Sequence, residues 1–214
     1  MAAGLAPEEA VVVYDRWAAH YDWWARPFEN RAHRRALELA APHGEERVLE
    51  VAVGTGATLM ALAAANRGGL TVGVDASRRM LDRACRRASQ AGAAPPLLLA
   101  DARTLPLPAE TFDLLVNCYF LDLLSLEDIQ IVLGEFRRVL RPGGRLVVVT
   151  MAEGSRLLMV PWKWLYRRSP RLLGGCRPLH AASLLGEAGF EGVATERIVQ
   201  LGFTSEVLAA RKPG

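Results

Sequence analysis

Cysteine is scarce in this chain of 214 residues, which contains only three. Cys85, Cys118 and Cys176 are far apart and form no C-x-x-C pair, so their spacing offers neither a zinc site nor a disulfide framework. We expect reduced thiols, no metal site and no disulfide partner, as is usual in the cytoplasm. Lysine is scarce too, because only Lys163 and Lys212 are present and the remaining positive charge is arginine.

Long apolar runs and long runs of one charge are both missing. No uninterrupted apolar stretch approaches the ~20 residues that a membrane-spanning helix needs, and the first residues lack the basic start and apolar core of a signal peptide. Without a block of like charges, and with a net charge of only +3, we expect no nucleic-acid partner. We predict one cytoplasmic domain over residues 1–214, touching a membrane surface at most.

A short apolar run ends in a glycine-rich turn in the first third of the chain. Residues 47–53 are apolar and rich in valine, which favours a buried parallel strand. Gly54 and Gly56 end this strand, and the helix formers of residues 57–66 follow. A strand, a glycine turn and a helix bring a ligand against backbone N–H groups. A dinucleotide-binding turn would have its third glycine where Leu59 stands, which disfavours a nicotinamide oxidoreductase.

The next two predicted strands each end at an aspartate. Residues 70–75 form a second strand ending in Asp75, whose carboxylate can accept both ribose hydroxyls of an adenosine. Residues 97–100 form a third strand, directly followed by Asp101. Between them Ser77 can cap a helix. We expect five arginines of that helix to face solvent: Arg78, Arg79, Arg83, Arg86 and Arg87.

These segments resemble the motifs of the class I S-adenosylmethionine-dependent methyltransferases, over roughly residues 14 to 211. Glu50, Ala52, Gly54 and Gly56 stand at the positions of the first motif, although glycine is usual where Ala52 stands. The segment Asp101-Ala-x-x-Leu-Pro resembles the one that reads adenine. There the carboxylate accepts from the exocyclic amine, and the next backbone N–H meets a ring nitrogen. The Arg141-Pro-Gly-Gly connection is also typical of this family.

The resemblance implies the remaining cofactor contacts. Tyr21 belongs to a Tyr-Asp segment that folds over the cofactor, within a helical lid predicted over residues 7–41. Asn117 would hold the cofactor's ammonium group through its backbone carbonyl. The complete set implied for S-adenosylmethionine is Tyr21, Glu50, Ala52, Gly54, Thr55, Gly56, Asp75, Ala76, Asp101, Ala102 and Asn117.

The predicted fourth strand, residues 113–117, leads into the candidate acceptor contacts. The sequence Asn117-Cys-Tyr-Phe lacks the prolines found in catalysts that methylate nitrogens of nucleic acids or proteins, which favours a small-molecule acceptor. We expect Cys118 to be a buried, inert thiol. Tyr119, Arg177 and His180 are candidate substrate contacts, and Tyr119 and His180 are also candidate bases. No catalytic base is assigned, because the sulfonium donor is already activated.

Residues 153–179 form an insertion in which aromatic and basic residues are interleaved. Trp162, Trp164 and Tyr166 lie beside Arg167 and Arg168. This composition suits a cap over an apolar pocket, and it equally suits a helix lying on an anionic membrane surface. Both interpretations stay open.

The resemblance implies an α/β fold with a Rossmann-like, doubly wound, seven-stranded sheet in the order 3-2-1-4-5-7-6. It also implies methyl transfer from S-adenosylmethionine to a small or lipid-like acceptor, such as a quinone precursor or another apolar metabolite. The motifs look most like those of the ubiquinone and menaquinone biosynthesis methyltransferases. Two alternatives remain, namely a phospholipid headgroup N-methyltransferase and an inactive partner subunit that binds S-adenosylmethionine.

Overall fold

The protein is described from a computed structural model, which covers residues 21–153 and 177–214, with side chains from Phe28 onward. The strands are β1 (Arg47–Val51), β2 (Leu70–Asp75), β3 (Leu97–Leu99), β4 (Phe112–Cys118), β5 (Leu140–Met151), β6 (Glu191–Gln200) and β7 (Phe203–Arg211). The helices are α1 (Tyr21–Ala40), α2 (Ala57–Ala65), α3 (Arg78–Gln90), α4 (Leu126–Val139) and α5 (Ala181–Glu187), with a 3-10 turn at Leu121–Leu123.

The predicted sheet is confirmed in strand number and order. The strands form one sheet in the order β3-β2-β1-β4-β5-β7-β6. Strands β1 to β5 are parallel, whereas β7 is antiparallel to both of its neighbours, β5 and β6. The carboxyl ends of the parallel strands therefore share one edge, and the strand order reverses beside β1. Ligands of open α/β sheets bind at this point.

Each face of the sheet has its own apolar core, because consecutive residues of a strand point to opposite faces. Leu49 and Leu115 pack on the side of α4 and α5, while their neighbours Val48 and Leu114 pack on the side of α1. Helix α1 contributes a stripe of buried small residues at four-residue intervals: Ala32, Ala36 and Ala40. Small side chains on one helical face allow α1 to lie close against the sheet.

Helix α1 runs from the carboxyl edge of the sheet to its amino edge. At its C-terminal end, Arg145 donates to the carbonyl of Ala40 and to the carboxylate of Glu46, the latter at 2.7 Å. Nearer its N-terminal end, the backbone N–H of Arg31 donates to the side chain of Gln200 at 2.8 Å. Gln200 ends β6 beside the start of β7, at the carboxyl edge. The helix thus lies across one face of the sheet, with its N-terminal half toward the edge where the ligand site is expected.

The strand limits differ from the prediction most clearly at β5, which begins at Leu140 and not at Arg145. The Pro-Gly-Gly segment forms a bulge within this strand, because β4 advances from Phe112 to Leu114 while β5 advances from Leu140 to Arg145. The bulge pairs with Lys212. Gly143 donates to the carbonyl of Lys212 at 3.0 Å, and Lys212 donates back to Gly144 at 2.9 Å. The left-handed Gly143, at φ +74°, makes the bend without ending the strand.

Parts of the predicted lid and insertion lie outside the described residues. These are residues 7–20 of the lid over 7–41, and residues 154–176 of the insertion over 153–179. The single-domain assignment of residues 1–214 stays a prediction. In the described part of the chain, no helix has both the length and the apolar character needed to cross a membrane.

Candidate functional site

The predicted cofactor residues meet at the carboxyl edge of β1, β2, β3 and β4. Val51 at the end of β1 lies opposite Asn117 near the end of β4. Asp75 ends β2 opposite Leu99, so Asp101 follows two residues beyond this pair. Residues that are far apart in sequence are brought together by parallel pairing alone. The side chain of Tyr21 lies outside the described residues, although its backbone begins α1.

Glycine stands at position 54 and at position 56 of the turn for different structural reasons. At Gly54, with φ +52°, an added Cβ would meet no described atom within 4 Å, so this side of the turn is open. At Gly56, with φ +80°, an added Cβ would lie 2.8 Å from the Cβ of Ala84 in α3. Gly54 therefore leaves room for a ligand, whereas Gly56 allows α2 and α3 to pack. The prediction that Gly56 contacts the cofactor is untested and has this second explanation.

Asp75 ties the glycine turn to the start of α3. Its Oδ2 accepts the backbone N–H of Gly54 at 2.8 Å, and its Oδ1 accepts that of Ser77 at 2.8 Å. Both oxygens of this carboxylate therefore help to fix the turn, and the carboxylate stands at the end of β2 where the ribose contact is predicted. Ser77 caps α3 as predicted, because its hydroxyl accepts from Met80 N–H at 3.1 Å. Ala76, between the two anchors, is exposed.

The expectation that Arg87 faces solvent is wrong. Its guanidinium donates to the carbonyl of Thr55 at 2.6 Å and to the Thr55 hydroxyl at 2.8 Å. Thr55 is buried, and Arg87 supplies a hydrogen-bond donor to its backbone carbonyl inside the turn. Helix periodicity placed Arg87 on the polar face, but the glycine turn lies within reach of that face.

Ala52 adopts a conformation that favours glycine. Its φ of +59° is left-handed, which costs a residue with a Cβ roughly 1–2 kcal/mol. This explains physically why glycine is usual at this motif position. The chain retains the alanine in spite of the strain.

Glu50 and Asn117 place unpaired acceptor atoms beneath the turn. Asn117 Nδ2 donates to the carbonyl of Val51 at 2.9 Å and so ties the ends of β1 and β4 together. Glu50 Oε2 and Asn117 Oδ1 are fully buried and have no hydrogen-bond partner among the described residues. Burial, and then the nearby charge of Asp75, raise the pKa of Glu50 well above its ordinary value. Unpaired buried acceptors of this kind suit a ligand that brings N–H donors.

Asp101 and Ala102 lie at the far side of the same edge. Arg103 donates to the Asp101 carboxylate through Nη2 at 2.7 Å and through its backbone N–H at 2.8 Å. The Arg103 side chain lowers the pKa of Asp101 by hydrogen bonding to it, so the group stays ionised. Ala102 is buried. The segment therefore presents a fixed carboxylate beside a buried backbone, as the adenine interpretation requires.

Tyr119 closes the other side of the edge, beyond β4. Its backbone is left-handed, at φ +51°. Its hydroxyl lies 2.6 Å from Ser205 Oγ, and its ring centroid lies 5.4 Å from that of His33 and 6.1 Å from that of Phe203. Burial raises the pKa of Tyr119 well above its ordinary value. The phenol is therefore neutral and held by Ser205, which disfavours it as a base. Tyr119 is only 6% exposed, and its role as a substrate contact stays a prediction.

Comparison with known proteins gives the same assignment. A model described as a methyltransferase domain matches residues 48–144. The ubiquinone/menaquinone biosynthesis C-methyltransferase UbiE of Syntrophotalea carbinolica is 34% identical over 168 residues, which cover 76% of this chain and 70% of that protein. The chain belongs to the class I S-adenosylmethionine-dependent methyltransferases. It stands in their branch of ubiquinone and menaquinone biosynthesis methyltransferases.

Two further comparisons show the breadth of this methyltransferase family. The phosphatidylethanolamine N-methyltransferase of Cereibacter sphaeroides is 36% identical over 138 residues, which cover 64% of each protein. Phosphoethanolamine N-methyltransferase 2 of Haemonchus contortus, solved with S-adenosyl-L-methionine, superposes with a TM-score of 0.72 at 17% identity. That alignment covers 94% of this chain and 57% of the other. At this identity, the likeness shows the fold alone.

The residues of this methyltransferase fit S-adenosylmethionine. The ligand carries an ammonium group and a sulfonium, and the edge offers the unpaired oxygens of Glu50 and Asn117. It also carries a ribose, and the Asp75 carboxylate stands at the end of β2 on the same edge. The open side of Gly54 leaves space between these groups. Asn117 was predicted to act through its backbone carbonyl, whereas the unpaired atom is its side-chain oxygen.

Three further residues singled out from the sequence are Cys118, Arg177 and His180. Burial raises the pKa of the Cys118 thiol well above its ordinary value, in agreement with an inert thiol. Arg177 donates from Nη2 to the carbonyl of Leu124 at 2.7 Å, while its buried Nε has no partner in the described part of the chain. His180 is exposed at the N-cap of α5, where its side chain makes no capping bond. The roles of Arg177 and His180 as substrate contacts stay predictions.

Asp122 is a buried acid that the sequence analysis missed. Its Oδ2 accepts the backbone N–H of Met151 at 3.0 Å, and its Oδ1 has no partner within the two described ranges. Burial raises the pKa of Asp122 to about 7. An acid in the apolar run Leu121-Asp-Leu-Leu was a usable signal, because aspartate is almost never fully buried without a role.

We expect an Asp122→Asn variant to be more stable than wild type in alkaline solution, with the difference vanishing in acid. Native Asp122 keeps its proton to a higher pH than the unfolded chain does, so its contribution is complete below about pH 4 and is lost as the pH rises through about 7. The gap should grow by on the order of 3 kcal/mol between about pH 5 and about pH 8. Urea unfolding at several pH values measures it, and a gap independent of pH would contradict the assignment.

Proposed function

We propose that this methyltransferase transfers the methyl group to a ring carbon of a hydroquinone-type small molecule. The observation that carries the proposal is the similarity to UbiE of Syntrophotalea carbinolica, named for ubiquinone/menaquinone biosynthesis, over 70% of that protein. That relative is named a C-methyltransferase, which supports carbon as the atom that receives the methyl group.

The donor side binds S-adenosylmethionine through groups whose geometry is already fixed. Asp75 accepts the two ribose hydroxyls with the carboxylate that also binds the backbone N–H groups of Gly54 and Ser77. Asp101 and the backbone N–H of Ala102 bind adenine. The remaining proposed contacts line the turn and its ends: Tyr21, Glu50, Ala52, Gly54, Thr55, Gly56, Ala76 and Asn117.

Charge complementarity favours binding of the sulfonium donor over binding of the product that has lost the sulfonium charge. When bound, S-adenosylmethionine supplies a methyl group on a positively charged sulfonium. Glu50 is buried beside Asp75, and desolvation penalises its charge until a cation lies nearby. A bound cation favours ionised Glu50, so the carboxylate and the donor stabilise each other. Loss of the methyl group removes the sulfonium charge, which weakens this attraction after transfer.

A phospholipid headgroup is the second candidate acceptor. The similarity to the phosphatidylethanolamine N-methyltransferase of Cereibacter sphaeroides favours it, at 36% identity over 64% of that protein. The buried acid Asp122 at the acceptor side would also suit an amine. The two candidates differ in the atom that receives the methyl group, carbon in one and nitrogen in the other.

The test uses S-adenosylmethionine with a labelled methyl group and two purified acceptors. One is a 2-alkyl-1,4-naphthohydroquinone kept reduced under anaerobic conditions, and the other is phosphatidylethanolamine in vesicles. We expect label on the naphthohydroquinone ring, located by mass spectrometry. Label on the lipid amine would establish the second candidate in its place. Tight donor binding without label in either acceptor or in a cell extract would favour an inactive partner subunit.

A further inference from the structure

His33 lies beside the site and contacts both Thr58 and Glu29. His33 Nδ1 lies 3.0 Å from the hydroxyl of Thr58, and His33 Nε2 lies 3.6 Å from Glu29 Oε2. Glu29 and His33 are one turn apart on α1, whereas Thr58 lies in the first turn of α2. The three side chains therefore join the helix over the sheet to the helix that follows the glycine turn.

This arrangement lies at the acceptor side. The ring of His33 packs against that of Tyr119, two residues beyond Asn117 at the end of β4. Thr58 stands two residues after Gly56, in the helix α2 that follows β1. His33 thus bridges the two elements that flank the point where the strand order reverses. Its side chain keeps 29% of its surface exposed, so a ligand can reach it.

We propose that His33 is the general base that takes the hydroxyl proton of the acceptor, with Glu29 and Thr58 as positioning residues. In the tautomer that donates Nδ1–H to Thr58, Nε2 carries no proton, and Glu29 Oε2 at 3.6 Å lies beyond hydrogen-bond distance from it. Protonation at Nε2 then creates an imidazolium facing the Glu29 carboxylate. A carboxylate that stabilises an imidazolium, and a partner that fixes its tautomer, are the parts of a general base in many unrelated enzymes.

The other titratable groups at this side are less suited to the task. Cys118, Tyr119 and Asp122 all feel the charge of Glu29, and burial raises the pKa of each. The thiol and the phenol are therefore neutral, and the phenol is held by Ser205. From β7, the residues that approach the ring cluster are Phe203 and Ser205, neither of which titrates. Asp122 is fully buried and bonded to the backbone of Met151.

The role of His33 rests on the proposed function, methyl transfer to a ring carbon of a hydroquinone. The acceptor O–H bond breaks, and its proton passes to His33 Nε2. The electron pair of the resulting phenolate forms the new carbon–methyl bond, while the bond from sulfur to the methyl group breaks with its pair left on sulfur. The ring carbon then loses its hydrogen as a proton to water and the ring becomes aromatic again. His33 returns its proton to the phenolate oxygen, so one proton is released overall.

The experiment compares two acceptors in wild type and in His33→Gln. One acceptor is the 2-alkyl-1,4-naphthohydroquinone, which is neutral at the assay pH. The other carries an electron-withdrawing ring substituent, so that its hydroxyl is already ionised. We expect kcat of His33→Gln to fall about 100-fold or more on the neutral acceptor, the usual effect of losing a general base. On the ionised acceptor the loss should stay within about 5-fold, because that acceptor has no proton to give up.

Matched variants separate a chemical role from a structural one. His43→Gln makes the same substitution at an exposed position on the opposite edge and should match wild type on both acceptors. Thr58→Val and Glu29→Gln keep His33 and should each lower kcat on the neutral acceptor without weakening S-adenosylmethionine binding. They carry the test if His33→Gln does not fold.

The outcomes distinguish this inference from the proposed function. Equal losses on both acceptors, or a His33→Gln variant with kcat near wild type on the neutral acceptor, would overturn the role of His33 and leave the proposed function standing. Wild-type protein that labels neither acceptor would overturn the proposed function, and the base with it.

Discussion

An Asp75→Ala variant is expected to bind S-adenosylmethionine about 100-fold more weakly than wild type, or worse. Two hydrogen bonds from ribose to an ionised carboxylate are lost, each worth roughly 1.5–3 kcal/mol. The same carboxylate accepts the backbone N–H groups of Gly54 and Ser77 at 2.8 Å. The turn therefore also loses the group that holds its two ends. Isothermal titration calorimetry with S-adenosylmethionine measures the change directly.

Asp82→Ala is the matched control for this experiment. Asp82 is an exposed aspartate of α3, and the same substitution there removes a carboxylate without touching the turn. We expect it to bind S-adenosylmethionine as wild type does. Thermal unfolding of both variants shows whether Asp75→Ala retains the fold. A folded Asp75→Ala protein with affinity within about fivefold of wild type would contradict the ribose role, because even one charged hydrogen bond is worth more than that.

A Gly56→Ala variant is expected to lose about 2–5 kcal/mol of unfolding free energy. Part of the loss is the left-handed backbone, at φ +80°, which costs a residue with a Cβ roughly 1–2 kcal/mol. The rest is overpacking, since the new Cβ would lie 2.8 Å from that of Ala84. Overpacking of a tight contact typically costs about 1–3 kcal/mol. Urea unfolding monitored by tryptophan fluorescence measures the difference.

Gly54→Ala separates the two contributions to this loss. Its backbone is also left-handed, at φ +52°, but its Cβ would meet no atom of the described chain within 4 Å. We expect Gly54→Ala to unfold more easily than wild type by the backbone cost alone, and to weaken S-adenosylmethionine binding by filling the open side. Adding Ala84→Gly to Gly56→Ala should recover the overpacking part. If both single variants lost equal stability, α2–α3 packing would not explain Gly56.

The sheet could be predicted from sequence because its signals are local and repeated. Strands β1 to β4 are apolar runs that end at, or within three residues of, a glycine, an aspartate or an asparagine, and the family resemblance supplies the strand order. The limits of β5 were harder to predict, because Pro142 and the following glycines normally end a strand. Pairing of Gly143 and Gly144 with Lys212, far along the chain, holds that segment in the sheet as a bulge. A partner so distant in sequence leaves no local signal.

The donor side was more predictable than the acceptor side for the same physical reason. Asp75 and Asn117 stand at strand ends, so parallel pairing alone decides where they go. Arg87, His33 and Asp122 act through contacts between elements that only tertiary packing creates. The arginine looked like part of a solvated helix face until packing placed Thr55 within its reach. His33 lay in a helix whose residues had no distinguishing motif.

The two ends of the predicted insertion lie close together at the C-terminal end of β5. The backbone N–H of Leu179 donates to the carbonyl of Met151 at 3.2 Å, and that of Arg177 donates to the carbonyl of Asp122 at 3.0 Å. Both ends are thus fastened beside the acceptor side, and added length between fastened ends costs little free energy. Over evolutionary time, this part of the gene can change in length and composition without disturbing strand register or the donor pocket. Relatives can thereby diverge in what they methylate while inheriting one unchanged way of binding the methyl donor.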